Sequence, residues 1–376
     1  MKKTLVALAV LAASGAAMAQ SSVTLFGVVD AGYSSGSGSV SDSTAMRTDR
    51  IGSSRLGFRG VEDLGGGMKA SFHLEAGVAN DSGAGSATNS NNQANGSGIT
   101  TTPSTAGVNA AINGGSQGLT FNRKSTVGLI TSMGEIRLGR DYTPQFYPDA
   151  QYDPFGTNGV ASSLIAYGSG TTAVRASNMF AYHSPDFSGF TVMLGSYFGE
   201  NSKSNAPGAL NNKAGDGSGY HVRYAQGKLA VGFAGSTTKT GLTTKVETGN
   251  FGASYNFGVA NLMVNSNIVQ NTGQQEIRGV LYGVTVPMGG GTFKASIATL
   301  EQDVVAGGVA GIMGTSVAKT DRTAIGYVYP LSKRTSVFGT WARNTNSGGA
   351  NRALNGAVTG ANQSSTGYDL GVNHTF

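Results

Sequence analysis

Arg55 and Arg59 stand four residues apart around Leu56 and Phe58, in the alternating run Arg55-Leu56-Gly57-Phe58-Arg59-Gly60. Period two puts both guanidiniums on one side of a strand and both apolar side chains on the other, with the two charges roughly 13 Å apart. That arrangement cannot transfer a group, because guanidinium is neither a proton acceptor nor a nucleophile at neutral pH. It can set an electrostatic field along a water-filled surface. The same chemistry extends to Lys69, Arg175 and Lys294, which lie in phase with polar positions. Arg140 shares its phase with Ile136 and Leu138, so turning it the same way requires a bulge or a strand end. Asp149 and Asp153, in the long segment 142–173, are the candidate opposing charges.

Readings that involve covalent chemistry fare poorly. Gly114-Gly115-Ser116-Gln117-Gly118 fits the G-x-S-x-G pattern of a nucleophile elbow, but it lies in a segment, 78–120, of Gly, Ser, Asn and Thr rather than between a strand and a helix. His73, His183, His221 and His374 fall on separate segments without metal-ligand spacing, and there is no cysteine. No enzyme activity, cofactor or metal is expected. Lys and Arg are scattered singly, so nucleic acid is not an expected partner.

The elements that carry these charges are short. Lys2 and Lys3, the apolar residues Leu5 to Ala13 and the Ala17-Met18-Ala19 site read as a signal peptide over 1–19, leaving a chain of 20–376. Without Lys2 and Lys3 the 26 basic residues become 24 against 20 acidic, a net charge of +4. After Gln20 no apolar run is long enough for a transmembrane helix, so any crossing must be made by strands. Sixteen alternating segments follow, from Val23–Tyr33 to Thr366–Phe376, and in Met68–Ala76 the apolar and polar faces separate completely. Their connections alternate between short turns and the long segments 34–50, 78–120, 142–173, 199–219, 237–249, 268–276, 301–322 and 344–365. Short turns at one rim and long loops at the other describe a transmembrane antiparallel β-barrel of sixteen strands, all-β, with one domain. In such a wall an arginine facing the bilayer midplane costs about 2–4 kcal/mol, so Arg55 and Arg59 must face the lumen. Segment 142–173 carries Pro144, Pro148 and Pro154 and six aromatics, whereas 78–120 has no aromatic residue. Proline forbids continuation of a central strand, and so many aromatics need a surface to cover. The third long loop is therefore expected to fold into the lumen, with Asp149 and Asp153 facing the arginines across water.

Several segments together resemble the Gram-negative general porins, in particular their β-proteobacterial branch. They are Ser22 to Gly32, Ser53 to Gly65, Leu138-Gly139-Arg140, Tyr182 to Phe187, Leu331 to Thr335 and Gly371 to Phe376. The resemblance implies a trimeric, water-filled barrel in the outer membrane, surrounded by lipid and lipopolysaccharide, with Phe376 read by the assembly machinery. Asp153-Pro154-Phe155-Gly156-Thr157-Asn158-Gly159 lacks the second acidic residue that many relatives carry after the glycine. The expected function is passive diffusion of small hydrophilic solutes and ions, mildly anion-preferring. The alternatives are a substrate-specific channel and a barrel acting mainly as an adhesin or receptor.

Overall fold

The computed structural model describes residues 22–94, 116–162, 170–202, 212–272, 275–305 and 313–376. The expected signal peptide, 1–19, and residues 114 and 115 of the G-x-S-x-G match lie outside them. Ser116–Gln117 pairs with Gly85–Ser86 in a two-residue ladder, not in a strand-turn-helix.

The staves are β1 (Ser22–Ser37), β2 (Ser43–Thr48 and Arg55–Gly65), β3 (Met68–Gly77), β4 (Lys124–Thr131), β5 (Gly134–Tyr142), β6 (Arg175–His183), β7 (Phe190–Tyr197) and β8 (Gly217–Gln226). They continue as β9 (Leu229–Lys239), β10 (Lys245–Asn256), β11 (Asn261–Asn271), β12 (Gln275–Met288), β13 (Gly291–Val305), β14 (Met313–Pro330), β15 (Thr335–Ser347) and β16 (Ser365–Thr375). Each pairs antiparallel with its neighbours in sequence, and β1 pairs with β16 from Val28↔Thr375 to Ser37↔Thr366, which closes the barrel. Closure leaves no strand edge unpaired, the condition for crossing hydrocarbon with strands. Among the described residues no helix is long and apolar enough to cross a membrane.

The second stave is broken where β1 passes from pairing with Ser43–Thr48 to pairing with Arg55–Gly65. Asp30, fully buried and inward on β1, repairs the gap: its carboxylate accepts the backbone N–H groups of Arg50, Ile51 and Gly52 and the amide of Asn373. A carboxylate that accepts several backbone donors serves as an internal cap. Asp30 is thus committed to the wall.

Alternation holds along the staves. Val23, Leu25, Phe58, Leu138, Phe180, Tyr282, Ile297 and Ile325 are exposed on the outside, while Asp30, Asn265, Asn267 and Asp369 are buried within. The strands run longer than alternation alone indicates: β14 spans 18 residues. Beyond Ile325 its outward residues turn to Thr323, Asp321 and Lys319, which interrupts the hydrophobic alternation but not the ladder.

Candidate functional site

Residues 143–162 of the connection between β5 and β6 turn into the barrel and lie against its inner face. They open with a short helix, α1 (Phe146–Gln151). Tyr147 stacks on His221 of β8 at 5.3 Å. Inward glycines of β10, β12 and β14 then receive the chain. A Cβ on Gly252 would sit 2.0 Å from the Tyr152 ring, one on Gly283 2.3 Å from Pro154, and one on Gly326 2.9 Å from Phe155. Farther on, Val160 N donates to Asp369 at 2.7 Å and Gly159 N to the Asp49 carbonyl at 3.1 Å. The loop therefore follows the inner wall from β8 round to the break in β2. Close packing needs those wall positions to lack side chains.

Both loop acids turn into this packing, not toward the lumen. Asp149 is 1% exposed and accepts from the amides of Asn250 (3.0 Å), Asn265 (3.4 Å) and Asn267 (3.4 Å). Asp153 is 5% exposed and accepts from Phe155 N at 2.8 Å. Burial pushes the Asp149 carboxyl up to about 7, against the pull of the three amides, and the Asp153 carboxyl up to about 8. The expectation that they face the arginines across water is corrected: a loop has no periodicity from which side-chain direction can be read. Lys294 of β13 lies on the same arc, 6.0 Å from the Phe155 ring.

On staves β2 to β6 the inner face is cationic. Arg55 lies 3.9 Å from Glu75, and Arg123, just before β4, lies 2.5 Å from the same carboxylate. Arg123 and Arg175 both donate to the Tyr142 hydroxyl, at 3.1 and 3.0 Å. The Tyr142 ring carries Arg175 on its face at 4.6 Å and stacks on Phe146 of the loop at 4.9 Å. Lys124 meets Asp141 at 2.7 Å, and Arg137 meets Asp141 at 2.5 Å and Glu135 at 2.6 Å. Arg59 rests over Phe26 at 5.2 Å, makes no ion pair among the described residues, and borders a groove of about 280 Å³ with Thr24, Ser71, His73 and Arg137. Six basic residues (Arg55, Arg59, Arg123, Lys124, Arg137, Arg175) thus stand with three acidic ones (Glu75, Glu135, Asp141), an excess of three positive charges.

Two of the sequence candidates lie apart. Lys69 is exposed beside the turn at Gly65–Gly67, opposite Asp63 in the ladder, so it belongs to the short-turn rim. Arg140 follows an irregularity at Gly139–Asp141, with Gly139 at φ 126°, and is buried on the Asn122 and Asn89 carbonyls and the Ser177 hydroxyl. Its charge clamps loop to wall. Arg123, Lys124 and Arg137 were not singled out from the sequence. Arg137 could have been: Ile136 and Leu138 flank it as Leu56 flanks Arg55. The four histidines do not converge, and among the described residues no group of three or more His, Cys, Asp or Glu is placed to hold a metal.

A Gram-negative porin profile matches residues 4–349. The chain belongs to that family. It is 34% identical over the full length of both chains to outer membrane porin protein 32 of Delftia acidovorans. It is 29% identical to an outer membrane porin protein of Bordetella pertussis, over 92% of this chain and 95% of that one. An anion-selective porin from Comamonas acidovorans superposes with a TM-score of 0.75 at 29% identity, over 95% of this chain and all of that one. The barrel is accordingly an outer-membrane porin, a passive channel of the Gram-negative outer membrane.

Proposed function

We propose that this porin passes small hydrophilic solutes with a preference for anions, through a passage bounded by the cationic staves β2 to β6 on one side and the inward loop on the other. One observation carries the reading: three uncompensated positive charges on the wall are faced by a loop whose two acids are buried, with carboxyls raised to about 7 and about 8. Net charge in a narrow pore sets which ions enter. Arg55, Arg59 and Arg175 are the arginines assigned to the passage, with Arg123, Lys124 and Arg137 beside them. The anion selectivity of the superposable Comamonas porin supports the same sign. Reversal potentials across a planar bilayer in a potassium chloride gradient test it; a cation preference at neutral pH overturns it.

The assembly proposed is a homotrimer. Small outward residues do not carry it: Gly27 is covered by the Phe376 ring and Ala76 is buried, so neither offers a free surface. Support comes instead from the outward faces of β16 and β1 to β8, which are uncharged on the long-loop side: Tyr33, Met46, Phe180, Ser196, Ser218 and Tyr368. Such a face can be covered by another protein without burying charge. Unheated detergent electrophoresis is expected to show a heat-labile species of three chains, and monomer alone in mild detergent would refute it. Phe376, paired with Gly27 and 44% exposed, is the proposed contact of the assembly machinery.

A further inference from the structure

Two cations of the inner wall meet at one uncharged atom. Tyr142 ends β5 and stands directly opposite Arg175, the first residue of β6, so the two side chains share the inner face. The Tyr142 hydroxyl accepts from Arg175 Nη2 at 3.0 Å and from Arg123 Nη2 at 3.1 Å. Apart from that shared oxygen the two guanidiniums are held differently. Arg123 keeps Glu75, at 2.5 Å. Arg175 makes no ion pair among the described residues, the hydroxyl is its side chain's only hydrogen-bond acceptor among them, and its Nε is buried without a partner. The phenol ring is itself fixed. It stacks on Phe146 of α1 at 4.9 Å with an interplanar angle of 18°, meets Tyr147 edge-on at 6.1 Å, and carries Arg175 at 4.6 Å and Lys124 at 5.2 Å.

We infer that Tyr142 is the positioning residue of the passage: its hydroxyl holds Arg175 beside Arg123, against their mutual repulsion, where the charge sorts ions. Two guanidiniums without a shared acceptor move apart, because like charges at short range in a partly dry site repel. A carboxylate between them would bind both more strongly but would cancel one charge, as Glu75 does between Arg55 and Arg123. A phenol oxygen has lone pairs for both and cancels neither. The ring adds a cation–π attraction to Arg175, and its stack on Phe146 keeps the hydroxyl from swinging with the cations it holds. The inference rests on the anion-preferring reading of the passage and deepens it: selectivity depends on where Arg175 is held as well as on its charge.

Tyr142→Phe tests this without altering any charge, because phenylalanine keeps the ring stack and the cation–π contact and removes only the shared acceptor. Arg175 is then expected to draw back from Arg123. Withdrawing its charge from ~5 Å to ~8 Å from the ion path lowers the anion-to-cation permeability ratio about twofold at 0.1 M salt. Reversal potentials in a potassium chloride gradient read this for the refolded full-length parent, Tyr142→Phe, Arg175→Gln and the double variant. Arg175→Gln is expected to lower the ratio further, and Tyr142→Phe to add nothing in that background. Arg175→Lys keeps a cation that can donate to the hydroxyl, so its ratio should stay closer to the parent's than to that of Arg175→Gln. A Tyr142→Phe ratio equal to the parent's overturns the inference, as does a loss of the same factor with and without Arg175. So does a lysine barrel no more selective than the glutamine one, a comparison that leaves Tyr142 in place and stands even where Tyr142→Phe does not fold. A parent that prefers cations overturns the channel reading on which the inference rests, whereas an anion-preferring parent with an unmoved Tyr142→Phe overturns only the role of the tyrosine.

Discussion

Replacing Arg59 with Gln isolates one charge of the proposed passage, because Arg59 is exposed, unpaired among the described residues, and held by Phe26 rather than by an acid. A monovalent ion passing ~5 Å from the guanidinium in water-like dielectric gains or loses ~0.8 kcal/mol. Screening at 0.1 M salt reduces this to ~0.5 kcal/mol, enough to enrich an anion about twofold and deplete a cation by about the same factor. Removing the charge is therefore expected to lower the anion-to-cation permeability ratio roughly fivefold at 0.1 M and more at 0.01 M, where screening is weaker. Arg140→Gln is the contrast: its charge is buried on carbonyl and hydroxyl oxygens, so the loss should appear in stability and leave the permeability ratio nearly unchanged. Reversal potentials of the parent and both variants at two salt concentrations measure this. An Arg59→Gln channel with the parent's ratio at both concentrations would refute electrostatic sorting by the wall.

Anion preference should also decline as pH rises from 6 to 9, because the loop carboxyls raised to about 7 and 8 acquire charge across that interval; a pH-independent reversal potential would count against it. The same protons act on stability. With folded-state values above the ordinary carboxylate value of 3.8, the native loop binds more protons than the unfolded chain between about pH 4 and 8, so stability is fullest below that window and falls as pH rises through it. Asp149→Asn should flatten this slope in thermal melts, whereas an unchanged slope would show that Asp149 is not its source. Gly252→Val is expected to push Tyr152 off the wall at a cost of about 1–3 kcal/mol and to give a noisier channel; a melting temperature equal to the parent's would show that the groove tolerates side chains. Deleting residues 149–159 should raise single-channel conductance and the solute size limit, and a deletion without effect on either removes the loop from the passage.

Much of the barrel was legible because its wall separates two solvents. Leu56 and Phe58 must meet lipid, so Arg55 and Arg59 must meet water, and this logic needs no neighbour from a distant strand. Where a residue's direction depends on such a neighbour, the sequence was silent. The break in β2 exists because Asp30, twenty residues earlier, supplies the acceptors for Arg50, Ile51 and Gly52. Arg140 is out of phase in the sequence and is brought into the loop packing only by the distortion at Gly139. The inward course of 143–162 could be inferred from its aromatics, but the glycines of the wall that accept them lie on separate staves and look in sequence like ordinary strand glycines.

The fate of Asp149 explains why selectivity in this barrel falls to one side. A lysine opposite it would also satisfy the carboxylate, but would bring a compensating charge and keep it ionised. Three asparagines on β10 and β11 supply donors without charge, so the loop is anchored by neutral hydrogen bonds while burial drives the carboxyl toward its protonated form. The two loop carboxyls then carry less than their full negative charge near neutral pH. The arc of β2 to β6 does the reverse, sharing Glu75 between Arg55 and Arg123 and Asp141 between Lys124 and Arg137, so that each acid fixes two cations in place yet cancels only one. The loop acid Asp149 and the shared wall acids Glu75 and Asp141 thus do different things with charge: the first is held by neutral amides, the others hold cations in excess.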